Sequence, residues 1–172
     1  MTADILLPKG DFESWSVIAC DQYTSEPEYW RQTAQNANGK ASAFNIVLPE
    51  VYLGDDDEAK IAKINENMKQ YMENDVFNLY ENTMVYIERT LKNGRVRKGI
   101  LGLIDLEDYS YEKGANTPIR ATEQTVLERI PPRVNIRKGA SLELPHVMLL
   151  IDDESKSVIE SLGEKTAEFK LL

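Results

Sequence analysis

Apolar residues recur at spacings of three and four between Glu58 and Asn74. Ile61, Ile64, Met68, Tyr71 and Met72 fall on one stripe, and Lys60, Lys63, Glu66, Lys69 and Glu73 fall opposite. That periodicity predicts an amphipathic helix with a solvated charged face. The preceding Gly54–Asp57 reads as a turn and helix cap. A second helix is expected after Ser25. Ser25 would cap it, Pro27 suits the first turn, and Glu26 and Glu28 suit the positive end of the dipole. It would carry Tyr29, Trp30 and Thr33 and stop near Asn38-Gly39.

The period changes to two from Met84 to Leu91. Lys92-Asn93-Gly94-Arg95 then gives a hairpin signal, with Val96 to Leu106 as the returning strand. Gly99 and Gly102 inside that strand point to a bulge or a close backbone approach. Short apolar runs supply the other expected strands. Trp15–Cys20 and Ser42–Leu48 read as buried strands, and Arg133–Arg137 alternates. His146–Ile151 is nearly all apolar and reads as a central strand, and Phe169–Leu172 begins another. Asp4–Gly10 is a short apolar segment closed by Pro8 and Gly10, and Asp105–Gly114 is a charged connection. A helix is expected over Thr122–Ile130, broken by Pro131-Pro132. Asp152-Asp153 would cap a short helix over Ser155–Leu162, closed by Gly163. The expected fold class is α/β of the α+β type: a mixed β-sheet that includes an antiparallel hairpin, with helices packed on it.

Nothing in the composition divides the 172 residues, so a single domain over 1–172 is expected. A strand that begins at the last residues suggests the amino-terminal part of a longer protein. The hydrophobic fraction of 42% and charged fraction of 28% suit a globular domain. A net charge of −9 disfavours nucleic acid and anionic membrane surfaces as partners, because the long-range field repels both. No apolar run approaches the roughly 20 residues of a membrane span. Cys20 is the single cysteine, which rules out an intrachain disulfide and a thiolate cluster. With no signal-peptide pattern at the start, the expected setting is cytoplasmic.

Against this acidic background, Pro118 to Asp153 is dense in arginine: Arg120, Arg129, Arg133 and Arg137. Guanidinium groups bind phosphate and carboxylate in bidentate fashion, so Arg120, Arg129 and Arg133 are candidate ligands for an anionic small molecule. The alternative is internal pairing with Glu123, Glu128 and Glu143. Glu123 is the candidate catalytic group, a general base or metal-binding carboxylate; the alternative is a first-turn helix glutamate. His146, the lone histidine, is a candidate ligand contact or a hydrogen-bonded structural residue. Asp21 and Tyr23, with Thr24, lie in a polar loop where ligand contacts and turn formation fit equally well. Asp152-Asp153 would hold magnesium or cap a helix. Cys20 sits in an apolar run and reads as inert. No phosphate-binding glycine loop, nucleophile elbow or zinc motif is present, and no motif identifies a cofactor.

The strings VIACDQYTSEPEYW, VLPEVYL, IRATEQTVLERIPPR and LELPHVMLLIDD resemble the bacterial and archaeal family known as domain of unknown function 1015. The resemblance covers almost the whole chain. Members of that family are about twice as long and carry a later glycine- and histidine-containing motif. The resemblance therefore implies that this chain corresponds to the amino-terminal half, with the carboxy-terminal half as its expected partner. Members often lie near serine biosynthesis genes, and the later motif is similar to that of ParB-like free-serine kinases. In many members a His-Glu pair follows the Ile-Arg segment. Here Thr122 stands at the histidine, and Glu123 and Thr125 correspond. The resemblance thus implies part of a small-molecule metabolic enzyme that binds a phosphorylated or carboxylate ligand, by analogy with serine-kinase phosphoryl transfer. The alternative is a non-catalytic metabolite-binding or protein-interaction module.

Overall fold

Short strands and helices alternate along the chain in a computed structural model, which describes residues 1–172 except 55, 111, 121–125, 145, 168–169 and 171–172, and the Arg129 side chain. In order they are β1 (Ala3–Pro8), α1 (Phe12–Trp15), α2 (Pro27–Ala37), α3 (Asp57–Glu73), β2 (Phe77–Thr83), β3 (Val85–Thr90), β4 (Val96–Leu101), α4 (Ile130–Lys138) and α5 (Ile159–Gly163). The fold is mixed α+β. Among the described residues the strands form two separate pairs, β1 with β2 and β3 with β4. Contacts group the chain into two compact units. The first comprises Met1–Ile5, Leu79–Thr122 and Met148–Leu172, and the second Leu6–Asn78 and Glu123–Val147. The units interleave along the sequence, so no shift in composition marks them.

Helix α3 organises the second unit. Its Ile64 and Met68 are buried against Ile46 and Leu48, and Ile61, Tyr71, Trp15, Tyr52 and Ile136 pack around them. Met72, at the edge of the predicted stripe, stays about half exposed. Residues 42–48 do not form the expected strand: Ala43–Ile46 is a turn of 3-10 helix capped by Ser42, whose Oγ accepts from Phe44 N. Side chains of α3 and its neighbours replace the missing ladder. Asn67 Nδ2 donates to Asn45 O (2.8 Å), Lys60 Nζ to Tyr52 O (2.8 Å), and Ser42 N to the Tyr71 hydroxyl (3.1 Å). Buried backbone groups must find partners, and here helix side chains provide them.

The expected strand over Trp15–Cys20 is absent for a similar reason. Trp15 ends α1, and the following backbone groups are taken singly. Ser16 N donates to Glu13 O (3.2 Å), Ile18 N to the Tyr29 hydroxyl (3.1 Å), and Glu50 N to Cys20 O (2.8 Å). Helix α2 runs as expected and ends at Asn38, with Gly39 at φ +72°. Glu26, not Ser25, holds the N-cap position, and no side chain caps it.

Arg133–Arg137 is not an alternating strand but the body of α4. Pro131 and Pro132 occupy its first turn, where a missing N–H costs nothing, so they open the helix instead of closing one. At its far end Gly139 lies against α3. A Cβ at Gly139 would stand 2.5 Å from Asn65 Nδ2.

In the first unit the expected hairpin forms, with its returning strand ending at Leu101 rather than Leu106, so that Gly102 lies just beyond it. Val85 faces Leu101 and Thr90 faces Val96, antiparallel, and Gly94 takes φ +79° in the loop. Gly102 is the close approach: a Cβ there would sit 2.7 Å from Met1 O, whereas at Gly99 it would meet nothing. Asp153 accepts from Val158 N (2.9 Å) and Ser155 Oγ (2.7 Å), which organises the entry to α5. The helix is shorter than the expected Ser155–Leu162. Gly163 ends it where a Cβ would stand 2.5 Å from the Tyr86 hydroxyl.

His146–Ile151 is not a central strand. The run has no regular structure, and Val147 and Leu150 are 80% and 87% exposed. Among the described residues β3 and β4 pair only with each other and offer it no wider sheet to join. The segment expected to be a strand at Phe169–Leu172 lies outside the described residues, apart from Lys170, as does the start of the helix expected over Thr122–Ile130.

These contacts predict opposite effects for two glycine substitutions. Gly139→Ala displaces the Asn65 amide and should destabilise by about 0.5–1.5 kcal/mol, the cost of driving a side chain off its rotamer. Gly99→Ala, in open space within β4, should be neutral or stabilise by up to about 1 kcal/mol, the strand penalty of glycine. Chemical denaturation of the two variants measures both.

Candidate functional site

The turn 19–26 and helix α4 bring two of the sequence candidates together. Asp21 Oδ2 faces Arg133 Nη2 at 3.7 Å, with the side chains 36% and 49% exposed. Arg133 stands on the first turns of α4, which Ile136 anchors in the core. Asp21 is carried by two consecutive turns, closed by Gln22 N to Ala19 O (2.9 Å) and Glu26 N to Tyr23 O (3.1 Å). The fully buried Trp30 fastens this loop from below, its Nε1 donating to Gln22 O at 3.2 Å. Tyr23 adopts φ +51°, a left-handed conformation that costs a bulky residue roughly 1–2 kcal/mol. Its ring lies 4.9 Å from that of Tyr29, a contact that offsets the strain. Such local strain is found where a loop must present a fixed surface.

The other Asp21 oxygen, Oδ1, accepts from Gln22 Nε2 at 3.4 Å. Arg133 therefore meets one carboxylate oxygen through one nitrogen at long range. An exposed pair of this kind contributes about 0–1 kcal/mol. The five guanidinium N–H groups exceed what that contact uses, so the half-exposed Arg133 retains the geometry to receive a carboxylate or phosphate. Arg137, one turn on, is tied to Glu143 at 2.9 Å.

Cys20 borders this pair. Burial pushes its thiol up, Arg133 pulls it down, and Asp21 and Glu50 push it up again. A thiol held protonated is a poor nucleophile at neutral pH. Glu50 lies in the string VLPEVYL, but nothing in the sequence marks it as a neighbour of Cys20. Its place beside Cys20 arises from the Glu50 N to Cys20 O bond.

The remaining candidates are dispersed. Arg120 belongs to the first unit, is exposed, and donates from Nε to Thr117 O at 3.4 Å. Arg129 lies in a 3-10 turn, Leu127–Arg129, before α4. His146 is exposed in irregular chain. Glu123 lies outside the described residues. Asp153, the candidate magnesium ligand, is engaged by its own turn, whose Val158 N–H and Ser155 hydroxyl hold its carboxyl below the usual range.

The charges around Cys20 predict a titration that can be read directly. The rate of Cys20 alkylation should rise through a midpoint above that of a free thiol. Arg133→Ala should move the midpoint further up, and Asp21→Asn should move it down. The folded thiol keeps its proton to higher pH than the unfolded one. Its contribution to stability is therefore complete below the unfolded thiol's midpoint and is lost as pH climbs through the folded one.

Searches of curated proteins and of solved structures returned no match to the chain. The family described as protein of unknown function (DUF1015) matches residues 3–171, essentially the whole length, and the chain belongs to that family.

Proposed function

We propose that the chain recognises a small anionic metabolite, a phosphate ester or carboxylate, at Arg133 beside the Asp21–Tyr23 loop. The observation that carries this reading is the Asp21–Arg133 pair itself. It joins a half-exposed guanidinium on a core-anchored helix to a pinned loop through a single 3.7 Å contact. An incoming anion that engages two guanidinium N–H groups would replace a weak contact with a stronger, bidentate one. Tyr23, exposed beside Asp21, would provide a further contact. The reading assigns recognition rather than catalysis, because burial holds the neighbouring Cys20 thiol protonated. A single thiol and the absence of a long apolar helix among the described residues accord with a reducing, cytoplasmic setting, which we propose with it.

Thermal unfolding in the presence of inorganic phosphate, phosphoserine, citrate or chloride, at matched ionic strength, tests the proposal. At about a hundred times its dissociation constant, a true ligand should stabilise by roughly 2.7 kcal/mol. Arg133→Ala should abolish that response while costing less than about 1 kcal/mol of intrinsic stability. Asp21→Asn should strengthen binding, since it frees the guanidinium. Equal responses from all three proteins would defeat the reading and leave the pair as a structural contact.

A further inference from the structure

The second unit holds a cavity of about 240 Å³ whose walls include Glu13, Ser14, Ser16, Tyr29, Thr33 and Ser42. Neither Asp21 nor Arg133 lines it. The hydrogen bonds of its hydroxyl groups fix what it can receive. Ser14 Oγ donates to the carbonyls of Asp11 and Ala41 (both 2.9 Å), and Ser16 Oγ donates to Phe12 O (2.9 Å). Thr33 Oγ1 donates to Tyr29 O (2.9 Å), and Ser42 Oγ to Ser14 O (2.6 Å). A carbonyl oxygen only accepts, so all four hydroxyls have committed their single proton to the backbone. What they retain are lone pairs, although Ser42 already accepts from Phe44 N.

Glu13 adds a carboxylate. Among the described residues no cation pairs with it, and the nearby Lys40 is directed to Asp11 at 3.5 Å. The lining is therefore rich in acceptors and carries one negative charge. Two donors complement it. The Tyr29 hydroxyl accepts from Ile18 N and so keeps its own proton. Asn36, also on the wall, has its Oδ1 occupied by Gln32 Nε2, which leaves its amide N–H groups to donate. A small carboxylate or a phosphate would meet lone pairs and a like charge here.

We propose that this cavity binds a small primary amine that also carries hydroxyl groups, an amino alcohol or amino sugar. The ammonium's three N–H groups meet Glu13 and the hydroxyl lone pairs, and the ligand's hydroxyl accepts from Asn36 or Tyr29. This site is opposite in charge to the one at Arg133 and uses none of its residues.

The test is titration of the whole chain with ethanolamine and glucosamine, against ethylene glycol and glucose, followed by amide resonances in NMR. The two amines should shift resonances of 13–17, 29–37 and 42 saturably, with the neutral compounds at least about tenfold weaker, as loss of a charge-assisted bond requires. Glu13→Gln, an exposed isosteric change, should weaken the amines about tenfold. Thr33→Val should weaken both amines with the fold intact. Arg133→Ala should leave amine binding unchanged, so the two sites stand or fall separately. The proposal is overturned if the amines do not saturate, if neutral compounds bind equally well, or if Glu13→Gln binds the amines as the unaltered protein does.

Discussion

The second unit depends on one requirement, that backbone left without a β-ladder must still be hydrogen-bonded. The segment from Lys40 to Leu53 runs through the core as 3-10 turns and extended links, yet Ile46 and Leu48 on it are buried. Helix α3 resolves this with two faces that do different work. Ile64 and Met68 exclude water from Ile46 and Leu48. Lys60, Asn67 and Tyr71, one to two turns apart, reach across to the carbonyls and amides that exclusion strands. Apolar burial and polar satisfaction thus come from the same helix, and neither holds the segment without the other.

That arrangement carries outward to the loop at Asp21. Glu50, at the end of the segment, holds Cys20 through its amide, and Trp30 holds Gln22 through its indole. The loop is fixed at both sides while its ion pair with Arg133 stays weak and half exposed. Rigid framing with a replaceable contact is what recognition of a ligand demands, since little ordering entropy remains to be lost on binding. A structural salt bridge would gain from the opposite arrangement, with short bidentate geometry.

Much of the local architecture was legible in the sequence where the signal was long or chemically specific. Seventeen residues of α3 repeat one period several times. Asn93-Gly94 between alternating runs admits few structures other than a hairpin, and Pro27 with acidic neighbours opens α2. The four runs misread as strands are five to seven residues long, too short for period two to be told from other arrangements. Pro131-Pro132 carries a double meaning, since proline both stops and starts helices, and only the packing of Ile136 and Gly139 on α3 decides it. Asp21 and Arg133 were each legible as candidates, but their meeting was not. It depends on how α4 crosses α3, which no local pattern encodes. The four cavity hydroxyls were invisible for a related reason: their chemistry is set by which carbonyls they face.

The apolar run Val147–Ile151 has a consequence for the protein's behaviour in solution. It is uncharged, β-prone, free of proline and exposed, the composition of segments that stack into fibres. Asp152, Asp153 and Glu154 follow it without a break. Stacking such a segment in register would line up these carboxylates a strand spacing apart, at about 4.8 Å. The acidic triplet therefore acts as a gatekeeper, and its repulsion weakens as salt rises and the Debye length shortens. An exposed apolar run followed by three carboxylates would associate more readily as ionic strength rises.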